Sequence, residues 1–219
     1  MKNRIIIFSG LDCSGKSTQI GILKKSLTEL GIKTFVFWSR GGYTSNIQRC
    51  KNLIRVFFKS FLPPVGNSPL RDKLLYKTSV IKRLWINLSI IDLLFYYSVF
   101  LRYKKFNGYT IICDRFIYDT QLDFQIAFPD YKLERNIFWI LLNKIAIKYD
   151  YYFISVVPVS VAVERSKYKF EPYPDSPEVL EIRKNKYLDY CKTNFDVIFI
   201  DGTKEVVGIS KLIENTIFS

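Results

Sequence analysis

A chain of 219 residues, nearly half of them hydrophobic, has room for one domain with a substantial core. It contains no histidine, which excludes a serine–histidine triad, a histidine zinc site and the usual neutral-pH base. Lys and Arg number 33 against 20 Asp and Glu; the surplus of +13 suits anionic partners (phosphorylated metabolites, nucleic acid, an acidic membrane surface) without choosing among them.

The amino-terminal "MKNRIIIFSG" has a basic start but only four apolar residues before Ser9, too few for a signal-peptide core. Residues 4–8, "RIIIF", form a continuous apolar run that suits a strand buried on both faces of a parallel sheet. After a glycine-containing loop, Ile20, Leu23, Leu27 and Leu30 recur at helical spacing, and Gly31 gives a helix stop. A second strand is expected over 33–38, "KTFVFW". Residues 45–62 are basic and amphipathic and stop at Pro63–Pro64; 65–72 read as loop. A helical region follows from about Leu74 to Phe106, with a break allowed near its middle. Its stretch Leu84–Leu101 falls just short of the ~20 residues of a membrane-spanning helix and carries Asn87 and a central Asp92, so it reads as a core or interface helix.

Gly108 ends that region, and "YTIIC" at 109–113 is a third strand. Helices are expected over 118–128 and 132–148, divided by Pro129–Asp130. "YYFISVV" at 151–157 is a fourth strand, with Pro158 opening the next helix. "EPYPDSP" at 171–177 is a loop, and Ser176–Pro177 make an N-cap and first helical turn. "VIFID" at 197–201 is a fifth strand; a last helix sets Val206, Ile209, Ile213 and Ile217 on one face. Strands alternating with helices imply a parallel sheet covered on both sides. The four cysteines, Cys13, Cys50, Cys113 and Cys191, form no CxxC pair and read as free thiols of a reducing cytosol.

The loop between the first strand and first helix is "GLDCSGKST". Gly10, Gly15, Lys16 and Ser17 fit GxxxxGK(S/T), a phosphate-binding loop. Glycines let backbone N–H groups turn inward onto phosphate oxygens, and the following helix adds its positive end. Lys16 brings a mobile charge to the β- and γ-phosphates, and the Ser17 hydroxyl suits Mg2+. The segment Gly10, Leu11, Asp12, Cys13, Ser14, Gly15, Lys16, Ser17, Thr18 is therefore the expected ATP site. The fold class is that of a P-loop NTPase: a three-layer α/β sandwich with a five-stranded parallel sheet and helices on both faces.

Asp12 is unusual, since a carboxylate inside a phosphate cradle repels the ligand unless it points toward a second substrate. Here "GLDCSGKSTQ" resembles the loop of thymidylate kinases, close to GxDxxGKST. Those enzymes pass the γ-phosphoryl of ATP to a deoxynucleoside monophosphate, and the resemblance implies that Asp12 lies near the acceptor's sugar. "IICDRF" at 111–116 is similar to the family's third strand and DR(Y/F) motif. Asp114 then falls at the carboxyl edge of the sheet, where it can steer a magnesium-bound water, and Arg115 can grip the acceptor phosphate with its planar fork. "VPVSVAVERSKYKFE" resembles the stretch leading into the family's lid, here near 160–178 within a single domain 1–219. Arg165, Lys167 and Lys169 are its cations, and Arg165 is the first choice for stabilising the transferring phosphoryl group. The closing "IDGTKEVVGI" looks like the family's last strand and helix.

Three features depart from the pattern. A Glu-Pro-containing segment after the second strand is replaced by "WSRGGYT", which keeps Arg40. The helix before the DR motif lacks its base-contacting arginine. Asp119 and Asp123 stand where serine and a base-side tyrosine are usual. Arg40, Arg115, Asp12 and Asp119 form the expected acceptor side, and Ser17 with Asp114 the metal side. The implied function is ATP- and Mg2+-dependent transfer to a nucleoside monophosphate, dTMP first, in a cytoplasmic homodimer with no stable nucleic-acid or membrane partner. A kinase acting on a nucleoside hydroxyl, with Asp119 or Asp123 as base, and a nucleic-acid-binding NTPase remain as alternatives.

Overall fold

The computed structural model describes residues 3–39, 79–169 and 175–218. Arg40, the amphipathic 45–62 segment, the 65–72 loop and most of "EPYPDSP" lie outside the described residues. The five apolar runs form five strands: β1 Ile5–Gly10, β2 Thr34–Trp38, β3 Thr110–Asp114, β4 Tyr151–Val156 and β5 Val197–Asp201. All four pairings are parallel, and the order is β2-β3-β1-β4-β5. β1 is central: β3 and β2 lie on one side of it and β4 and β5 on the other, so the chain winds outward from β1 in both directions. That reversal of strand order opens a crevice beyond the carboxyl ends of the strands.

Alternation along β1 divides the core. Ile5 and Ile7 face one cluster with Tyr97, Leu101, Phe116 and Tyr187; Ile6 and Phe8 face another with Leu23, Leu27 and Ile213. The second face is covered by α1 Lys16–Glu29 and by α8 Val206–Phe218. Leu30, expected on the buried face of α1, lies one residue past its end and is 62% exposed. The first face is covered by α2 Ser79–Phe95, α3 Leu101–Phe106, α4 Ile117–Ala127, α5 Ile137–Ile145 and α7 Pro177–Thr193, while α6 Val159–Ser166 packs beside α7.

From Ser79 to Phe106 the chain stays helical, so the allowed break is a π turn over Tyr96–Phe100. A π turn takes in one extra residue. It brings two consecutive tyrosines, Tyr96 and Tyr97, into the core. Both pack on Phe37 of β2, with ring centroids 5.0 and 5.8 Å away, and the Tyr97 hydroxyl bonds to Ser39. The single helix expected over 132–148 is a 3-10 turn, Leu133–Arg135, followed by α5, which the Asn136 side chain caps by accepting from the Phe138 and Trp139 amides. Ser176 caps α7 as expected, accepting from the Val179 amide ahead of Pro177.

Candidate phosphate-binding cleft

At Gly10, φ is 126°, and a Cβ would sit 2.0 Å from the Ser155 carbonyl oxygen of β4, so no side chain fits. The loop is then fastened to β4: the Leu11 amide donates to Ser155 O at 3.0 Å, and the Ser155 hydroxyl donates to Ser14 O at 2.9 Å. Gly202 follows β5 and closes in from the other side; a Cβ there would meet Ser14 O at 2.5 Å. Sequence reasoning did not single out Gly202 or Ser155, since neither belongs to a motif that names its partner. Leu11 is fully buried with Val157, Ala162 and Leu180, so its backbone alone faces the site.

The first helical bond of α1 runs from the Gln19 amide to Gly15 O. The amides before it have no partner inside the helix and add to its positive end. They face a cleft of about 510 Å3 that gathers the loop, Trp38, Asp114, Arg115, Arg165 and Gly202. Lys169 and Lys204 also line it.

Lys16 is 6% exposed, and its Nζ donates to Gly10 O at 2.9 Å and Leu11 O at 2.6 Å. Burial, with the nearby Arg115 charge, lowers its pKa to about 8, while Asp12, Asp114 and Asp119 pull it up. Arg165, on the last turn of α6, spans the cleft wall: its Nη1 donates to Cys13 O at 3.2 Å and Gly202 O at 3.1 Å. Both cations thus lean on neutral carbonyls that an anionic ligand can replace.

Asp114 ends β3 at the cleft. Burial raises its carboxyl above the ordinary range, against the pull of Lys16 and Arg115. Ser17 is exposed in the same cleft. A carboxylate and a hydroxyl are the hard oxygen donors that Mg2+ takes, and no cluster of three or more metal-ligating side chains is found among the described residues. The donor set fits an ion that keeps its waters and phosphate oxygens.

Arg115 has φ 78°, in the left-handed region, with its amide donating to Phe8 O at 2.8 Å. Such a conformation in a non-glycine residue costs on the order of 1 kcal/mol and persists only where neighbours dictate it. Here the guanidinium is ion-paired to Asp12 and lies 3.5 Å from Asp119. Asp119 is 1% exposed. Its carboxylate takes the Ser9 hydroxyl, the Tyr187 hydroxyl at 2.7 Å and the Phe116 amide at 2.9 Å. Asp119 therefore sits beneath the cleft, holding Arg115, and presents no oxygen to an acceptor. Asp123, the other expected base, is paired with Arg183 at 2.8 Å, and Arg183 also meets Asp175 at 2.8 Å. Sequence reasoning missed this buried trio because its members lie on separate elements with no motif between them.

No known family model matches the chain. It is 27% identical over 209 residues to "Thymidylate kinase" of Thermosipho melanesiensis, covering 92% of this chain and 90% of that protein. It is 25% identical over 207 residues to "Probable thymidylate kinase" of Methanocaldococcus jannaschii, covering 94% and 90%. Among solved structures, a thymidylate kinase from Ehrlichia chaffeensis matches with a TM-score of 0.57, 19% identity and all of both chains covered. A deoxyadenosine kinase from M. mycoides with bound dATP matches with a TM-score of 0.61, 18% identity, and 98% and 100% covered. The chain is thus similar to thymidylate kinases along nearly its whole length, and its fold is one it shares with kinases of known structure.

Proposed function

We propose that the chain transfers the γ-phosphoryl of ATP to a deoxynucleoside monophosphate: dTMP and ATP give dTDP and ADP. The observation that carries this reading is the state of the carboxylates. A hydroxyl acceptor needs a base beside it, whereas a phosphate acceptor is already an anionic nucleophile. Asp119 and Asp123, the two candidates for a base, are both taken up in buried pairs. Asp114 remains in the cleft that Ser17 also lines, where a metal ion would claim it. It is the one observation that favours a second reading, a nucleoside kinase with Asp114 as base.

In the proposed reaction, the loop amides and Lys16 hold the β- and γ-phosphates, and Arg165 turns from its carbonyls onto the charge that builds up during transfer. Arg115, fixed by Asp12 and Asp119, offers its remaining donors to the acceptor phosphate. Ser17 and Asp114 would hold Mg2+, which would supply charge neutralisation at the phosphates. Positioning and charge supply the rate, so a chain without histidine is adequate.

We further propose a homodimer built on α2. Val80, Leu84, Leu88, Ile91, Phe95 and Val99 recur at helical spacing and are each at least 42% exposed. The helix 82–106 is also long and apolar enough to cross a membrane by composition, but it packs on α5 along one side, which suits a paired face better. A cytoplasmic location accords with the free thiols of Cys13, Cys113 and Cys191.

An acceptor screen tests the reaction: dTMP, dUMP, the other deoxynucleoside monophosphates, deoxynucleosides and phosphorylated sugars, each with ATP and Mg2+. Turnover with monophosphates and none with nucleosides is expected. Turnover confined to nucleosides would replace this reading with the second one.

A further inference from the structure

A second cavity, of about 540 Å3, shares no lining residue with the phosphate cleft. It lies among α4, the end of α5 and of α7, and the start of β4. Its walls are aromatic: Phe116, Tyr118, Tyr149, Tyr152 and Tyr190. Tyr118 and Tyr190 stack at 3.8 Å, and Tyr149 meets Phe116 and Tyr152 edge-on at 6.4 and 5.2 Å. Ring faces and edges are thus both on offer, as a planar guest requires.

The polar groups among these rings set the guest's chemistry. Gln121 and Asn143 supply amide donors and acceptors, and the Asn143 amide nitrogen is already bonded to Trp139 O at 2.8 Å, leaving its oxygen to accept. Lys148 is the one cation in the lining and Asp196 the one carboxylate. Nothing there resembles the amide nest and paired cations of the phosphate cleft, so a phosphate has no seat. An aromatic slot with mixed amide edges and balanced charge suits an uncharged heteroaromatic ring on a small polar carrier. That is the chemistry of a nucleoside, as distinct from a nucleotide. The volume lies in the range of small-ligand sites.

The cavity wall is also the support of the phosphate cleft. Tyr152 lies on the same face of the sheet as Ser9: their hydroxyls are hydrogen-bonded at 3.0 Å, and Ser9 bonds to Asp119. Phe116 gives its amide to the same carboxylate. Tyr118 packs edge-on against Tyr187, whose hydroxyl also donates to Asp119. Three of the cavity's residues therefore bear on the carboxylate that holds Arg115: Phe116 directly, Tyr152 through Ser9 and Tyr118 through Tyr187. We propose that this cavity is a regulatory site for a deoxynucleoside, whose occupancy moves Asp119 and so the set of Arg115 at the phosphate cleft.

The test uses the full chain with thymidine and deoxyadenosine as probes, in saturation-transfer NMR and in calorimetric titration of ATP. Two variants fill or blunt the cavity without touching the cleft: Ala146→Trp and the milder Gln121→Leu. The wild type is expected to give a saturable signal from at least one nucleoside, and that nucleoside to shift the ATP Kd by threefold or more. Each variant that melts within a few degrees of the wild type is expected to lose the signal tenfold or more and to show no shift. No signal in the wild type, a signal unchanged in both variants, or nucleoside binding with no change in ATP affinity would each overturn the proposal. Neither readout requires turnover, so failure here leaves the transfer reading standing.

Discussion

Two pairs of cations flank the central strand, and they are held in opposite ways. Lys16 and Arg165, on the cleft side, rest on main-chain carbonyls of Gly10, Leu11, Cys13 and Gly202. Arg115 and Arg183, on the α4–α7 side, are locked between carboxylates: Asp12 and Asp119 for one, Asp123 and Asp175 for the other. A carbonyl satisfies a cation's geometry but not its charge. A cation so held gains when an anion arrives, whereas one with two carboxylates has its charge answered within the fold. On the proposed reading Lys16 and Arg165 serve the ligand, and Arg183 serves the fold. Arg115 stands between, inside the network but lining the cleft.

The largest effect that would break this contrast is on Lys16. Lys16→Ala is expected to lower kcat about 10^4-fold, as loss of a charge on the transferring group does, while the melting temperature moves little. A coupled ADP-release assay beside thermal melting checks both, and unfolding in step with lost activity would move Lys16 into the scaffold class. Arg183→Met is the reverse case. It removes the charge that Arg183 sets against Asp123 and Asp175, at a cost of about 4 kcal/mol, or about 10 °C in Tm for a chain of this size. Turnover measured well below that melting point is expected to survive within a few-fold. Arg165→Ala should fall in between, costing about 10^2-fold in kcat with little change in stability, since its partners are neutral carbonyls.

The smallest effect is a pH dependence. With the Lys16 pKa lowered to about 8, the empty cleft holds a neutral amine above that pH. ATP then binds with uptake of a proton, and its affinity falls by up to about tenfold per pH unit from about 8 upward. Calorimetry in two buffers of different ionisation enthalpy reads the proton directly. Stability runs the other way: the folded pKa lies below the unfolded one, so between about 8 and 10.5 the unfolded chain binds more protons, and the empty protein gains stability as pH rises through that window.

The ligand side of this contrast was legible in the sequence and the scaffold side was not. Gly10, Gly15, Lys16 and Ser17 sit within eight consecutive residues, so one local pattern names strand, turn, amides and helix end together. The apolar runs gave the strands for a similar reason: in β1, β3 and β4 burial on both faces leaves no alternation to misread, and the edge strands β2 and β5 keep apolar runs of their own. Arg183, Asp175 and Asp123 meet only through the packing of α7 on α4, and no spacing in the chain announces a contact made in space. Asp119 shows the limit most clearly. Its place after the DR motif suggested an acceptor contact, yet its side chain turns inward, because three other donors, Ser9, Tyr187 and the Phe116 amide, converge beneath the cleft. Sequence allowed a break near the middle of the long helical region but not its π form, which changes the facing of Tyr96 and Tyr97 and not the apolar character that sequence reports.

The seat of Gly202 on Ser14, with Ser155 clasping the same carbonyl, makes the polyphosphate mould rigid before anything fills it. A mould cast by the sheet's own rim owes nothing to the far end of the pocket. Residues on the acceptor side can then be exchanged without recasting the seat.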